Sequence, residues 1–285
     1  MDLKGFRVVV SAENNAYMAW QSQLFHYSCV TRLGQTPLVV VHGPAEAPLS
    51  KGFGSILRAG GLVRRAPCYR TTAAGAEYPP RNAPATLLHA AEMNYFGDEF
   101  FVLCDPDMLF VRPPVFARTL AADRFPSSML DFGHRDVRAA ARRYGVAHEE
   151  LDGRDFSCGV PHVVPAADAA RLGAAWLEAV DAFRSRLWEV SMYAFGFAVV
   201  RLGMGLEVTR LACFNYYSHD PLPPEASVIH YFAGDRHWSK RRFWSDADAP
   251  RVWDETRGAP EGTILGEMLS QLRGARSYYS ADDIW

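Results

Sequence analysis

Residues 99–104 of the chain read EFFVLC, a continuous apolar run that is typical of a β-strand buried on both faces of a central sheet. Similar runs occur earlier in the chain, at 6–12 (FRVVVSA), 36–42 (TPLVVVH) and 61–66 (GLVRRA). Stretches with the length and apolar spacing of helices lie between these runs, at 17–33, 49–59 and 83–96. Strands that alternate with helices predict an α/β fold with a mostly parallel central sheet flanked by helices.

The second half of the chain has a looser pattern. We predict strands at 127–132, 157–164 and 226–232. We also predict amphipathic helices at 166–186 and 188–202, and a charged, solvated helical stretch at 133–155. No internal repeat, low-complexity segment or domain-length linker interrupts the sequence. The prediction is therefore a single domain over residues 1–285.

Composition and charge restrict the class of protein. The 285 residues include 30 Lys and Arg against 32 Asp and Glu, so the chain lacks the basic footprint that nucleic-acid binding needs. No apolar run approaches the roughly 18 residues of a membrane span, and the N-terminus lacks the layout of a signal peptide. We therefore expect a cytoplasmic protein that acts on small molecules. The many Ala, Arg and Gly residues indicate a bacterial gene.

Two carboxylates follow the apolar strand directly, in the sequence Asp105-Pro106-Asp107. Ligands of open α/β sheets bind at the carboxyl ends of the strands, so both acids lie where a site is expected. Carboxylate oxygens are suitable ligands for a hard cation such as Mg²⁺ or Mn²⁺, and nucleotide phosphates can complete its coordination. The alternative is a strand that ends in an Asp-Pro turn, since both residue types favour turns.

A second polar segment follows the strand predicted at 226–232. It contains His230, which would be a third protein ligand for a divalent cation. Gly234 allows the backbone to approach a diphosphate closely, and Lys240 supplies a positive charge for it. The alternative is a core histidine with a satisfied hydrogen bond, followed by a solvated basic run over 240–242.

These residues resemble those of a known family. Asp105-Pro106-Asp107 looks like the Asp-x-Asp motif of GT-A fold nucleotide-sugar glycosyltransferases, and His230 with Gly234 and Lys240 looks like their C-terminal metal and diphosphate segment. Further motifs are similar to the hydroxyproline O-arabinosyltransferase and peptidyl-serine galactosyltransferase group, at 17–21 (YMAWQ), 78–84 (YPPRNAP), 192–195 (MYAF) and 230–231 (HY). The resemblance extends from about residue 6 to 243. It implies a GT-A (Rossmann-like) fold.

The resemblance also assigns roles to individual residues. It implies that Asp105, Asp107 and His230 hold Mn²⁺ or Mg²⁺, which bridges the diphosphate of the donor. The residues that it places against the donor are Ser11, Ala12, Glu13, Asn14, Arg81, Asn82, Asp105, Gly234 and Lys240. It divides the domain into a nucleotide-binding half (1–112), an acceptor half with the metal and diphosphate segment (113–245), and a C-terminal tail (246–285).

The catalytic acid or base is less clearly marked. Members of the plant group carry a glutamate directly before Met-Tyr, where this chain has Ser191, and the nearest acid is Glu189. Two positions along a helix correspond to a rotation of about 200°, so Glu189 replaces that acid only if the local register differs. Asp131 is the other candidate. The alternatives are a helix-surface role for Glu189 and a helix cap for Asp131.

Large aromatic residues fall into two groups. Trp20, Trp176 and Trp188 have helical spacing on apolar faces, which favours a core position. Trp238 and Trp244 lie in a polar context beside the predicted diphosphate segment. An aromatic ring at either of these positions could cover the donor or stack on an acceptor.

The leading hypothesis is a metal-dependent glycosyltransferase. It would transfer a sugar from a nucleoside diphosphate sugar, preferably a UDP-sugar, to a hydroxyl group of a peptide, natural product or glycan, and the resemblance suggests retention of configuration. One alternative is a non-catalytic nucleotide-sugar binding protein of the same fold. Another is a sugar nucleotidyltransferase, although residues 11–15 contain no glycine of the kind that a phosphate-binding loop needs.

Overall fold

A computed structural model describes residues 3–94, 97–125, 130–151, 156–184, 187–214, 218–232 and 234–279. The strands are β1 (Phe6–Glu13), β2 (Leu38–His42), β3 (Leu62–Ala66), β4 (Phe100–Cys104), β5 (Met108–Phe110), β6 (Ala121–Arg124), β7 (Cys158–Pro165), β8 (Glu207–Thr209), β9 (Ala212–Phe214) and β10 (Val228–His230). The helices are α1 (Ala16–Ser28), α2 (Lys51–Arg58), α3 (Asn82–Glu92), α4 (Arg135–Tyr144), α5 (Ala166–Asp181), α6 (Val190–Arg201) and α7 (Ile264–Tyr278).

The central sheet has seven strands in the order β3-β2-β1-β4-β7-β6-β8. Strand β1 pairs in parallel with β2 on one side and with β4 on the other. Strand β7 is antiparallel to both of its neighbours, β4 and β6, while β8 is again parallel to β6. The prediction of an α/β fold with a mostly parallel sheet flanked by helices is therefore confirmed, and the fold is Rossmann-like.

Each face of the sheet carries its own hydrophobic core. Val8 and Val10 point into a core that α1, α2 and α7 cover, whereas Val9 points into a core that α3, α4, α5 and α6 cover. This alternation follows from the two-residue period of a strand. Because both faces are covered, every residue of β4 is buried, as its continuous apolar sequence predicts.

A small three-stranded sheet extends from the end of β4. Its order is β5-β10-β9, with β10 antiparallel to β5 and parallel to β9. Only three residues, Asp105 to Asp107, separate β4 from β5. The small sheet therefore fixes the direction in which this short connection leaves the central sheet.

The sequence misplaced several elements in the second half. A strand was expected at 127–132, but residues 130–132 form no strand, and 126–129 lie outside the described residues. The strand next to β7 in the central sheet is instead β6, whose sequence AADR has no β-branched residue. In the stretch 133–155, only α4 forms an α-helix within the part that the structure describes, and its inner face is buried.

The segment 246–285, expected as a C-terminal tail, contributes to the core. Helix α7 packs on α1, and Leu265, Met268 and Leu272 are almost completely buried. Within the described ranges, no helix has the length and apolar character that crossing a membrane requires. The three-part division of the chain stays a prediction.

Candidate functional site

The Asp-Pro-Asp sequence forms the turn between β4 and β5, at the carboxyl edge of the parallel strands. The side chain of Asp105 is 40% exposed, whereas that of Asp107 is only 8% exposed. Strand β1 is parallel to β4 and ends nearby at Glu13, so the two carboxylates lie at the edge where the first strand also ends. This is the edge at which α/β sheets bind their ligands.

Strand β10 brings His230 to these carboxylates. Its antiparallel pairing with β5 sets His230 opposite Met108, one residue after Asp107. The backbone N–H of Tyr231 donates to the carbonyl of Asp107 at 2.9 Å, which fixes the two segments together. His230 Nε2 then lies 3.3 Å from Asp107 Oδ1 and 3.8 Å from Asp105 Oδ2.

The fourth charged group is Lys240, whose ammonium contacts Asp107 Oδ2. Lys240 follows a tight loop that begins at Gly234, where φ is +107° and a Cβ atom would lie 2.6 Å from the Cβ of Ser239. Only glycine fits both the dihedral angle and this close approach. The side chain of Lys240 is 14% exposed, so its charge is largely shielded from water.

Burial and charge determine the protonation of this cluster. Partial burial, together with the neighbouring Asp107 charge, raises the pKa of Asp105 above its usual value. Burial alone would also raise the pKa of Asp107, but Lys240 and His230 hold it well below its usual range. Burial opposes the charge on Lys240, yet Asp107 raises its pKa overall. Asp107 and Lys240 are therefore both charged at neutral pH.

The cluster has the donor chemistry and the spacing of a divalent-cation site. One ligand atom each from Asp105, Asp107 and His230 lie within 4.8 Å of one another. In an octahedral shell with ligands at about 2.1 Å, neighbouring ligand atoms are about 3 Å apart and opposite ones about 4 Å. Carboxylates suit Mg²⁺ or Mn²⁺, whereas an imidazole is also a common ligand of Zn²⁺ and Fe²⁺, so the donor set fits a divalent cation without selecting one metal. The residues therefore fit the cation that the sequence predicted.

The end of β1 has more structural contacts than the sequence suggested. Ser11 and Ala12 are buried. Glu13 Oε1 accepts a hydrogen bond from the side-chain amide of Asn82 at 3.2 Å. Asn14 accepts from the N–H of Ser50 at 2.9 Å and donates to the carbonyl of Pro48 at 2.8 Å, so its amide holds the chain before α2. Of the predicted donor residues that the structure describes, Glu13 and Asn82 are the two whose side chains contact each other at the end of β1.

Arg81, the residue before Asn82, forms an ion pair with Asp181. Its Nε and Nη2 donate to the two carboxylate oxygens of Asp181 at 3.1 and 2.8 Å, and its Nη1 donates to the carbonyl of Tyr69 at 2.8 Å. Both side chains are at most 20% exposed. This bidentate pair joins the start of α3 to the end of α5, a role that the sequence did not reveal.

Tyr78, which the sequence analysis did not single out, holds the start of α6. Its hydroxyl donates to the carbonyl of Trp188 and accepts from the N–H of Ser191, both at 2.7 Å. Burial raises the pKa of this phenol, and the charges of Glu189 and Asp105 raise it further.

The two candidate catalytic acids lie near each other at this end of the molecule. Glu189 is the N-cap of α6, so it precedes the helix and the rotation argument does not apply to it. Asp131 is exposed, and its carboxylate accepts from the N–H of Gly133 at 2.8 Å. The N-cap of α4 is His134, so the alternative of a helix cap at Asp131 is wrong. The hydroxyl of Tyr193 accepts from the N–H of Asp131 at 2.9 Å.

Two tryptophans differ from their expected positions. Trp188 was expected in the core but is 68% exposed, because it lies in the turn before α6 rather than on the apolar face of the helix. Trp238 was expected beside a ligand but is only 2% exposed, with its ring against Tyr231 and Phe243. Trp244 is 67% exposed.

Trp244 lies on the same side of the molecule as Lys240. Its ring centroid is 4.8 Å from that of Tyr17, and the ammonium of Lys240 is 5.8 Å from the same tyrosine ring. Trp188 is joined through its carbonyl to Tyr78, which senses the charge of Asp105. Trp244 therefore shares the Tyr17 ring with Lys240, whereas Trp188 is tied to Tyr78.

The structure thus brings together four of the predicted residues, Asp105, Asp107, His230 and Lys240, and joins Glu13 to Asn82 separately. No family model matches the chain, and no curated protein sequence matches it. Any function must therefore be inferred from these residues and their geometry.

Proposed function

We propose that the chain is a metal-dependent glycosyltransferase of the GT-A fold that uses a nucleoside diphosphate sugar as donor. The observation that carries this proposal is the cluster of Asp105, Asp107 and His230, with Lys240 on the outer oxygen of Asp107. Its position at the carboxyl edge of a mostly parallel sheet is where nucleotides bind in α/β folds. A cation and a lysine together match the charge of a diphosphate.

The cluster residues and those at the end of β1 would have different roles in such a reaction. Asp105, Asp107 and His230 would hold the divalent cation, which acts as a Lewis acid when bound. Lys240 would donate to the diphosphate as the bond between the sugar and its phosphate oxygen breaks and the electron pair moves to that oxygen. Glu13 and Asn82, at the end of β1, would face the nucleoside. Most of the catalysis would then be positioning and electrostatic stabilisation.

The acceptor would approach from the side of α6. Its hydroxyl oxygen forms the new bond to the anomeric carbon, and its proton passes to the leaving diphosphate or to a carboxylate. Two carboxylates on that side were singled out from the sequence. Glu189 is the N-cap of α6, and Asp131 contacts Tyr193 of the same helix. The exposed rings of Trp188 and Trp244 would offer apolar faces to a sugar or to the acceptor.

A thermal-shift screen tests the proposal. The protein is heated with UDP, GDP, CDP, ADP or TDP, with and without Mn²⁺, because a ligand that binds only the folded state raises the melting temperature. We expect UDP to raise it by about 5 °C at about 100 times its Kd, and only with Mn²⁺. UDP-sugars and candidate acceptors would follow.

Variants make the screen specific to the cluster. Asp107→Asn keeps the shape of the side chain and removes the charge, and we expect it to abolish the Mn²⁺-dependent shift. The matched control is Asp168→Asn, which removes a carboxylate on α5 whose ion pair, among the described residues, is the surface contact with Arg171. An unchanged response of Asp107→Asn would exclude the metal assignment. Nucleotide binding without any turnover of a UDP-sugar would favour the non-catalytic alternative.

A further inference from the structure

A second polar pocket lies beyond the loop that carries Lys240. It has a volume of about 410 Å³ and is lined by His219, Arg236, His237, Arg242, Arg257 and Gly258. None of these residues belongs to the carboxylate cluster or to the predicted donor residues. The pocket contains three guanidinium groups, and none of its lining residues is acidic.

The carboxylate of Asp235 joins the two chain segments that contain His219 and His237 of this pocket. Its Oδ2 accepts from the N–H of Ser218 at 2.9 Å, and its Oδ1 accepts from the N–H groups of His237 at 2.8 Å and Trp238 at 3.2 Å. The ring of His219 therefore lies on that of His237, with centroids 3.8 Å apart and an angle of 23° between the planes. The carboxylate of Asp235 keeps its negative charge, but among the described residues no guanidinium nitrogen of the pocket lies within 4 Å of it, so it forms no ion pair with these arginines.

The arginines are held in place but are poorly neutralised. Arg242 donates to the carbonyl of Arg236 at 3.3 Å, and Arg257 donates to the carbonyl of His237. The only carboxylate within 4 Å of any of them, among the residues the structure describes, is Glu255, at 3.7 Å from Arg257. Backbone carbonyls thus orient two of the three guanidinium groups, and the third, Arg236, donates to His237 Nε2 at 3.3 Å.

We propose that this pocket binds an oxyanion of the phosphate type, carried by a molecule other than the nucleotide at the carboxylate cluster. Guanidinium groups present paired N–H donors that match phosphate oxygens, and groups already oriented lose less entropy on binding. Trp238 lies in the chain between His237 of the pocket and Lys240 of the cluster, and its ring is buried against Tyr231 and Phe243. Lys240 points to Asp107 on one side of this loop, and Arg236 and His237 line the pocket.

The chemistry of the pocket fits a phosphate monoester on an acceptor or free inorganic phosphate equally well. A carboxylate would use fewer of the donors that three guanidinium groups offer. This inference does not depend on the glycosyltransferase proposal, because the pocket would bind its anion without a divalent cation. Its test can therefore be carried out in EDTA, where the carboxylate cluster holds no metal.

Inorganic phosphate is the probe, and sodium chloride at matched ionic strength is the reference. We expect phosphate at about ten times its Kd to raise the melting temperature by about 3 °C over chloride. The double variant Arg242→Gln/Arg257→Gln should weaken phosphate binding by about tenfold or more, because two charged hydrogen-bond donors are lost. The matched control is Arg241→Gln, which removes an exposed arginine from the same turn but outside the pocket.

Two results would overturn the proposal. One is a parent protein that phosphate stabilises no more than chloride does, and the other is an equal loss of binding in Arg241→Gln, which would mean a non-specific charge effect. Single Arg257→Gln protein, checked by circular dichroism, replaces the double variant if that variant does not fold.

A second arm of the experiment separates the two sites. Phosphate binding should persist in Asp107→Asn, and in the parent saturated with UDP and Mn²⁺. Competition between UDP and phosphate would show instead that the pocket belongs to the diphosphate of the donor. Failure of all five nucleoside diphosphates to bind would reject the proposed function but leave the phosphate result intact.

Discussion

The ammonium of Lys240 contacts the carboxylate of Asp107, although 133 residues separate them in the chain. The contact uses Oδ2 of Asp107, and the other oxygen, Oδ1, lies 3.3 Å from His230 Nε2. Asp107 therefore contacts His230 and Lys240 at the same time, each through a different carboxylate oxygen. A cation held by Asp105, Asp107 and His230 would not need to displace the lysine, and the lysine could turn from Asp107 to a phosphate.

Replacing Lys240 should separate the binding of metal from the binding of nucleotide. In Lys240→Met, the cluster keeps both carboxylates but loses the only ammonium that contacts them among the described residues. We expect Mn²⁺ to bind more tightly, because its positive charge no longer meets that of the lysine. We expect UDP to bind about tenfold or more weakly in the presence of Mn²⁺, because a charged donor is lost. Titration calorimetry with each ligand measures both effects.

The control for this variant is Lys51→Met, which removes an exposed lysine at the start of α2. It should change neither affinity. Weaker binding of both Mn²⁺ and UDP by Lys240→Met would mean that the lysine mainly keeps the cluster folded. Unchanged UDP binding would remove Lys240 from the donor site.

Tyr78 should act as a positioning residue for the start of α6. Tyr78→Phe leaves the carbonyl of Trp188 and the N–H of Ser191 without their partner, so we expect a loss of about 1–2 kcal/mol in the free energy of unfolding. Under the proposed function, Glu189 would lose its fixed position as well. We then expect a lower kcat with an unchanged KM for the donor.

Tyr144→Phe is the matched control for Tyr78→Phe. The hydroxyl of Tyr144 also donates to a backbone carbonyl, that of Ala175, at 2.8 Å, but it lies on α4 and contacts none of the predicted site residues. It should lower stability by a similar amount and leave transfer unchanged. Equal effects of both variants on kcat would indicate a general loss of stability rather than positioning.

Arg81 should contribute to stability through Asp181. Arg81→Ala removes a bidentate pair in which both side chains are at most 20% exposed, and it leaves the carboxylate partly buried. We expect a loss of about 2 kcal/mol, and a double-mutant cycle with Asp181→Asn should give a coupling energy of about 1–2 kcal/mol. Urea unfolding of the four proteins measures it.

Arg171→Ala is the control, because its pair with Asp168 is a surface contact worth about 0.5 kcal/mol or less. A coupling near zero between Arg81 and Asp181 would show that the pair is not maintained in solution. The role in donor binding that the resemblance implies requires a further result, which is weaker UDP binding by Arg81→Ala under conditions where the variant is fully folded.

The first half of the fold could be predicted because its strands carry strong local signals. The valines of β1 and β2 and the apolar run of β4 indicate buried strands without any knowledge of their neighbours. The carboxylate cluster could be predicted for the same reason, since Asp105 and Asp107 follow a strand that the sequence identifies. His230 was identified by a strand-like run and by the resemblance together.

The features that the sequence missed depend on tertiary contacts. Strand β6 has the sequence AADR and exists because it pairs with β7 and β8. Helix α7 does show apolar spacing, with Ile264, Met268 and Leu272 four residues apart, a signal that the sequence analysis did not use. The role of Tyr78 could not be predicted, because its partner Ser191 is 113 residues away.

A buried histidine gives a prediction about pH that is independent of any ligand. His162 lies in β7 with its ring centroid 4.4 Å from that of Phe195 and 5.1 Å from that of Trp176. Neither ring nitrogen has a hydrogen-bond partner among the described residues. Burial lowers its pKa to about 3, and burial also lowers the pKa of His26 and of His42 to about 4.

These shifts determine how stability depends on pH. The unfolded chain takes up a proton on each of these histidines as the pH falls below about 6.5, whereas the folded chain does not until about pH 4 or lower. These neutral histidines therefore make their full contribution to the free energy of unfolding above about pH 6.5, and this contribution decreases as the pH falls. For one histidine, the decrease from pH 7.5 to pH 5 is about 2 kcal/mol.

His162→Leu should remove this contribution and relieve the unsatisfied nitrogens. We expect the variant to be about 1 kcal/mol more stable than the parent at pH 7.5, because an unpaired polar group is replaced by an apolar one of similar size. The advantage should grow by about 2 kcal/mol at pH 5, where the parent still has to keep this imidazole neutral. Urea unfolding at both pH values measures the difference. His134→Ser is the control at an exposed histidine, because a serine oxygen takes the place of the ring Nδ1 that accepts from the N–H of Asp136; an equal growth there would assign the effect to the loss of any histidine. A His162→Leu protein whose stability falls with pH as steeply as that of the parent would mean that His162 is charged in the folded state.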